Sequence, residues 1–170
     1  MKSILETGQL APGFHLPDLR GELHTLARYR GWIVLLNFWS AECPWSERAD
    51  RFLTPHLHRW LPEVVYLVLV ANLNEPLDLL ESISEQRGIE TVLRDADQSV
   101  ADLYGAQTTP HFFVVDRQGL LRYQGAYDDV TFRQRSPTRS YVVRAVEALL
   151  RGEEPEIAQA PAYGCTIVRG

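Results

Sequence analysis

The chain has 170 residues, 45% hydrophobic and 23% charged, with a net charge of −5. These proportions fit one globular domain and argue against disordered, collagen-like or coiled-coil chains. The acidic balance disfavours nucleic acid as a partner, because phosphate binding needs a Lys/Arg-rich face. The longest apolar runs lie near Trp32–Trp39 and Val64–Ala71 and are eight residues long, against roughly 20 for a membrane span. No membrane partner is expected.

The opening MKSILETGQLAPGF lacks the apolar stretch of a secretory leader, which places the protein in the cytoplasm. Phe14, Leu16 and Leu19, spaced around Pro17 and Gly21 and followed by Glu22–Leu26, predict a short hairpin. Trp32–Trp39 is bounded by Gly31 and Ser40 and reads as a strand buried on both faces. From Pro44 to Leu61 the apolar residues keep helical spacing, and Pro55 predicts a kink or a two-part helix. Val64–Val70 is a second buried strand. Leu77–Arg87 is a helix stopped by Gly88, Thr91–Leu93 a short strand, and Asp97 caps a helix that ends at Gly105. Phe112–Asp116 and Leu120–Tyr123 form a hairpin about Arg117–Gly119. Ser140–Leu150 is a last amphipathic helix. The expected domain spans residues 1–152. A tail, 153–170, is rich in Glu, Pro and Ala, and its pattern does not say where it docks. Strands alternating with helices before a closing hairpin predict an α/β fold, a mixed sheet with helices on both faces.

Chemistry concentrates at Asn37–Ser46. A buried strand ends, a turn follows, and Cys43 sits at the mouth of a helix whose first residue is Pro44. Proline suits that position because the first helical N–H has no partner. The positive end of the helix dipole favours thiolate over thiol, and the thiolate is the nucleophile. Glu42 and Glu47 oppose the effect, so a moderate depression of the Cys43 pKa is expected. Trp39 and Trp45 read either as an apolar collar around Cys43 or as core. His56 and His58, two apart, share no helix face, so no metal site is expected. His111 reads as a strand-end residue, and Asp128–Asp129 as a solvated loop. No phosphate-binding glycine loop is present, and no cofactor is expected.

The segment Trp39–Ser46 resembles the active-site turn of the thioredoxin-like superfamily, with Trp39 and Cys43 in place and Ser46 where a second cysteine would stand. Thr108–Asp116 resembles the cis-proline loop of that superfamily and the strand after it. The resemblance implies a cis Thr109–Pro110 bond facing Cys43, and a backbone at Thr109 that pairs with an extended substrate chain. Leu10–Phe14, Leu16–Asp18, Gly21 and Leu26 resemble the start of the redoxin branch. That branch holds alkyl hydroperoxide reductases, thiol-specific antioxidants and the thiol–disulfide oxidoreductases of cytochrome c maturation. Tyr123–Asp129 and Gly164–Ile167 resemble the ends of a redoxin group with a Cys-Pro site and a C-terminal Gly-Cys.

Departures limit what carries over. Asn37 replaces the buried aspartate that relays protons in thioredoxins. Ser46 cannot resolve a mixed disulfide. Leu36 and Ser40 stand where a peroxiredoxin has proline and threonine, and its arginine has only Arg48 and Arg122 as candidates. The resemblance implies a thiol–disulfide oxidoreductase acting through one active-site cysteine, Cys43, with Trp39, Pro44, Trp45, Thr109 and Pro110 around the substrate. A hydroperoxide reductase is the alternative, and a non-catalytic binding module the second. Expected partners are a protein disulfide or a hydroperoxide and an external thiol reductant. Release of Cys43 falls to an external thiol or to Cys165. The fifteen residues from Leu150 to Cys165, if extended, reach about 50 Å. Bonding the two cysteines requires their Cα atoms within roughly 7 Å.

Overall fold

An unbroken apolar strand needs cover on both of its faces, and the middle of a sheet supplies it. The computed structural model, which describes residues 5–170, puts Ile33–Phe38 there. In chain order the strands and helices are β1 (His15–Pro17), β2 (Leu23–Thr25), β3 (Ile33–Phe38), α1 (Pro44–Trp60), β4 (Val64–Val70), α2 (Leu77–Arg87), β5 (Val92–Arg94), α3 (Ser99–Tyr104), β6 (Thr108–Thr109), β7 (His111–Val115), β8 (Leu121–Gly125), α4 (Tyr141–Leu150) and β9 (Cys165–Thr166). The main sheet runs β5-β4-β3-β7-β8. Its β3–β4 and β4–β5 pairs are parallel, its β3–β7 and β7–β8 pairs antiparallel. This is the mixed α/β sheet that the element order predicts, in the thioredoxin-like arrangement that the resemblance implies. Residues 1–4, the start of the stretch read for a leader, lie outside the described residues. Among the described residues no helix is long and apolar enough to cross a membrane.

Side chains of β3 alternate between two packed layers, as the period of a strand requires. Ile33 and Leu35, with Phe112 and Val114, meet Ala49 and Leu53 of α1 and Val142 and Val146 of α4. Val34, Leu36 and Phe38, with Phe113 and Val115, meet Val100, Ala101 and Tyr104 of α3 and Phe14 and Leu16 near the N-terminal hairpin. The site at the end of β3 is therefore held from both sides.

Two local readings need correction. Helix α1 runs unbroken through Pro55. An internal proline costs about 3 kcal/mol, but Leu53 and Trp60 on either side of it are buried in one cluster. Side chains of that kind contribute roughly 2 kcal/mol each, so keeping both seated offsets the lost hydrogen bond. Arg51, whose carbonyl Pro55 leaves without a donor, and Pro55 itself are exposed, and water can serve the carbonyl. The second correction concerns α3. Asp97 accepts only from Ser99 N, at 3.0 Å. The carboxylate over the helix mouth is the buried Asp95, which accepts from Val100 N at 3.1 Å and Ala101 N at 2.7 Å.

Candidate active site

Strand β3 delivers the chain to a turn whose backbone is tied down by its neighbours. Ser40 N donates to Ser46 Oγ at 3.3 Å, Glu42 N to Ser40 Oγ at 3.3 Å, and Cys43 N to Ser40 O at 3.3 Å. Ser46 is fully buried, so it braces the turn and is out of reach of a substrate. Cys43 is the N-cap of α1, with extended backbone, and Pro44 follows at the first helical position. Its carbonyl accepts from Glu47 N at 3.0 Å. As N-cap residue Cys43 stands at the positive end of the α1 dipole, the arrangement that favours a thiolate.

Opposite lies the loop that resemblance singled out. The Thr109–Pro110 bond is cis, and Thr109 O is 3.2 Å from Cys43 Sγ. Strand β6 pairs in antiparallel register with β9 of the tail, Thr109 opposite Cys165 and Thr108 opposite Thr166. This brings the Cα atoms of Cys43 and Cys165 to 6.2 Å, and the two form a disulfide across 122 positions of sequence. Cys43 is thus not alone at its site: of the two sources of release read from the sequence, an external thiol and Cys165, it is Cys165 that lies bonded to it. Pairing with the cis-proline loop is what carries Cys165 there.

The tail reaches this place along a defined path. Gln124 N donates to Ala158 O and Ala160 N to Gln124 O, both at 3.1 Å. The Ala160 carbonyl passes so close to Gly125 that a Cβ there would collide with it. Tyr163 packs edge-on against Trp45, ring centroids 4.8 Å apart. Ile167 is buried in the core, and its N–H donates to Gln107 O at 3.0 Å. Gln98 Nε2 then donates to Val168 O at 2.8 Å, and Arg169 to Asp102 at 2.6 Å.

The remaining candidates separate clearly. Pro44 follows Cys43, Thr109 O reaches its sulfur, and Trp45 and Pro110 line a pocket with Tyr163, whereas Trp39 lies under the turn with no exposure, in a cluster with Val68, Val70 and Leu80. It is core, because β3 ends pointing it inward. Its indole N–H donates to Asp50 Oδ2 at 2.8 Å, and Arg87 donates to the same oxygen at 3.0 Å and to Ala41 O at 3.2 Å. Burial pushes the Asp50 carboxyl up, against the pull of Trp39 and Arg87. Glu75, also buried, accepts from Ala41 N and from Asn72 Nδ2. Asn37 is fully buried and donates to the Tyr66 hydroxyl at 2.9 Å. Sequence reading missed Asp50, Arg87, Glu75 and Tyr163. Asp50 carried a signal, a lone carboxylate between Ala49 and Leu53 on the buried stripe of α1.

The charged residues read as solvated or as peroxidase candidates are engaged. Asp128 is not in a solvated loop: it is buried and takes both Arg48 nitrogens, at 3.1 and 2.9 Å. Arg122 donates to Asp116 at 2.8 Å and Glu154 at 3.2 Å. His56 contacts Arg59 and stacks on Trp60 at 5.5 Å. His111 opens β7 and stacks on Phe113 at 4.6 Å, and burial lowers its pKa to about 4. It is neutral at physiological pH.

Fold and site define a thioredoxin-like protein with a cysteine at a helix mouth, facing a cis-proline and bonded to a second cysteine. The chain belongs to the AhpC/TSA family, whose model matches residues 7–124. It is 32% identical over 122 residues to thiol-disulfide oxidoreductase ResA of Geobacillus thermodenitrificans, covering 71% of this chain and 70% of that one. A hypothetical protein of Sinorhizobium meliloti 1021 superposes with a TM-score of 0.86 at 30% identity, over 97% of this chain and 95% of that one. The thioredoxin domain of a thiol-disulfide oxidoreductase from Bacteroides vulgatus does so with a TM-score of 0.63 at 22% identity, over 71% and 88% of the two chains. That last likeness speaks for the fold alone.

Proposed function

We propose that this chain is a thiol–disulfide oxidoreductase whose redox centre is the Cys43–Cys165 pair. The observation that carries the reading is the position of Cys43, capping α1 and bonded to the one other cysteine across the Thr109–Pro110 loop. In the dithiol form the Cys43 thiolate attacks one sulfur of a protein disulfide. A mixed disulfide forms, and the other substrate sulfur leaves as a thiolate that takes a proton from water. The Cys165 thiolate then attacks Cys43 Sγ and expels the remaining substrate sulfur. Two electrons pass from the enzyme dithiol to the substrate, and an external dithiol restores the reduced enzyme by the reverse exchange. In a reducing compartment the dithiol would be the resting form.

Attack on a hydroperoxide would use the same thiolate, but it calls for a cation beside the sulfur. Arg48 is committed to Asp128 and Arg122 to Asp116 and Glu154, which favours the disulfide as electrophile. The test is to mix reduced protein with a protein disulfide or with hydrogen peroxide and map the products by mass without reductant. Formation of the Cys43–Cys165 pair with stoichiometric loss of the substrate disulfide is expected, and Cys165→Ser should trap substrate on Cys43. Stoichiometric peroxide consumption without disulfide exchange would replace this reading with the peroxidase one. Inertness of Cys43 toward both would leave only a binding module.

A further inference from the structure

Through the Cys43–Cys165 bond, the tail lies against the site as a polypeptide lies in a mixed disulfide. Cys165 stands opposite Thr109 in antiparallel register. Gly164 abuts the Thr109 carbonyl and, at 3.1 Å from where a Cβ would be, Pro110 Cδ, so the residue before the cysteine has no room for a side chain. One residue earlier, the half-buried Tyr163 ring lies edge-on against Trp45 and lines a small pocket together with Trp45, Arg48, Pro110, Tyr127 and Val130. Its hydroxyl accepts from Phe132 N at 2.8 Å. The space left over is about 10 Å³, too little for a further side chain. Helix α1, the cis-proline loop and residues 126–132 build these walls, and the half-buried Arg48, paired with the buried Asp128, locks helix to loop. All of these walls but Tyr163 belong to the scaffold, and the tail brings Tyr163 against them.

We infer that this pocket is a recognition subsite for an aromatic side chain two residues ahead of the target cysteine in an extended partner polypeptide, which enters in place of the tail. The inference rests on the thiol–disulfide reading above. An incoming dithiol reduces the Cys43–Cys165 bond with two electrons and two protons, and the freed tail leaves the pocket. The partner disulfide is attacked by the Cys43 thiolate, its second sulfur departs as a thiolate, and its aromatic side chain occupies the place of Tyr163. When the Cys165 thiolate attacks Cys43 Sγ, the partner sulfur is expelled and Tyr163 returns to the pocket. Resolution of the bond and eviction of the partner are one movement of the tail.

The experiment uses the full chain with Cys165→Ser, reduced, and two synthetic peptides. They differ only in Tyr or Ala immediately before a Gly-Cys, and each cysteine is carried as its mixed disulfide with thionitrobenzoate. The rate of coloured thiol release is followed, and mass confirms the adduct on Cys43. The Tyr peptide should react about tenfold faster or more, since an edge-on aromatic pair adds to the burial of the ring. In the Tyr163→Ala, Cys165→Ser double variant the Tyr peptide should react faster still, its internal competitor gone. Equal rates for the two peptides in both variants would overturn the subsite and leave the exchange reading standing. Reaction of Cys43 with dithiobis(nitrobenzoate) but with neither peptide would show that the tail does not yield, and overturns it too. Failure with that small disulfide as well would remove the proposed function itself.

Discussion

The two cysteines of one disulfide live in opposite settings. Cys43 is set between the central strand and a 17-residue helix, in a turn pinned by Ser40 and Ser46. Cys165 sits on a two-residue strand in a tail held by two backbone hydrogen bonds to β8, by others to Gln107, Gln98 and Asn72, and by two small buried contacts, Ala160 and Ile167. The difference suits a division of labour. A nucleophile gains from fixed dipoles and fixed geometry, whereas a resolving thiol has to arrive after the substrate and needs an element that detaches at little cost.

The largest effect expected from this contrast is on activity. Cys43→Ser should abolish disulfide reduction, a loss of about a thousandfold or more. Cys165→Ser should keep the first exchange and stall at the mixed disulfide. Stopped-flow thiol release followed by mass analysis separates the two steps. If both variants lost the first exchange equally, the two thiols would not have distinct roles.

Stability should divide in the same way. Asp128→Ala leaves the Arg48 guanidinium half-buried and unpaired, and should cost about 3 kcal/mol. The tail's Arg169–Asp102 pair is far more exposed, and Arg169→Ala should cost under about 1 kcal/mol. Urea midpoints at constant slope would measure both. Equal costs would mean that the tail is as much part of the scaffold as α1.

His111, beside the site, gives a pH signature. Its folded-state pKa is depressed to about 4, against about 6.5 in the unfolded chain. Between these values the unfolded chain binds the extra proton. Stability therefore rises with pH from about 4 to about 6.5, by at most roughly 3 kcal/mol. His111→Phe should flatten that stretch of the stability–pH curve, and an unchanged slope would assign it to the carboxylates. The smallest expected effect is in labelling of the reduced protein. Cys43 should alkylate with iodoacetamide about tenfold faster than Cys165 at neutral pH, with a midpoint below the ~8.5 of a free thiol. Faster labelling at Cys165 would reverse the assignment of nucleophile.

Local chemistry made much of the site readable in advance. Leu77–Arg87 followed by Gly88 is a helix with its stop signal, and Gly88 takes the left-handed conformation that ends it. The Cys43-Pro44 junction needs only the rule that a first helical residue lacks a partner for its N–H. At three positions the outcome was set by burial decided elsewhere in the chain. Asp128 looks solvated until α1 brings Arg48 to it. Trp39 looks like a collar residue until α2 covers it with Leu80. Pro55 looks like a break until Leu53 and Trp60 find a common core.

The amino-acid sequence by itself determined the alternation of strands and helices, the two-faced burial of Ile33–Phe38 and the cysteine at a helix mouth. These follow from side-chain period, capping and backbone constraint within about ten residues of chain. Tertiary structure alone decided that Cys165 closes onto Cys43. A tail of Pro, Gly and Glu has no period of its own to declare. Its path is set by the edge of β6, a glycine that lets Ala160 pass over β8, and the Trp45 ring that Tyr163 packs against, none of which is local to the residues they guide.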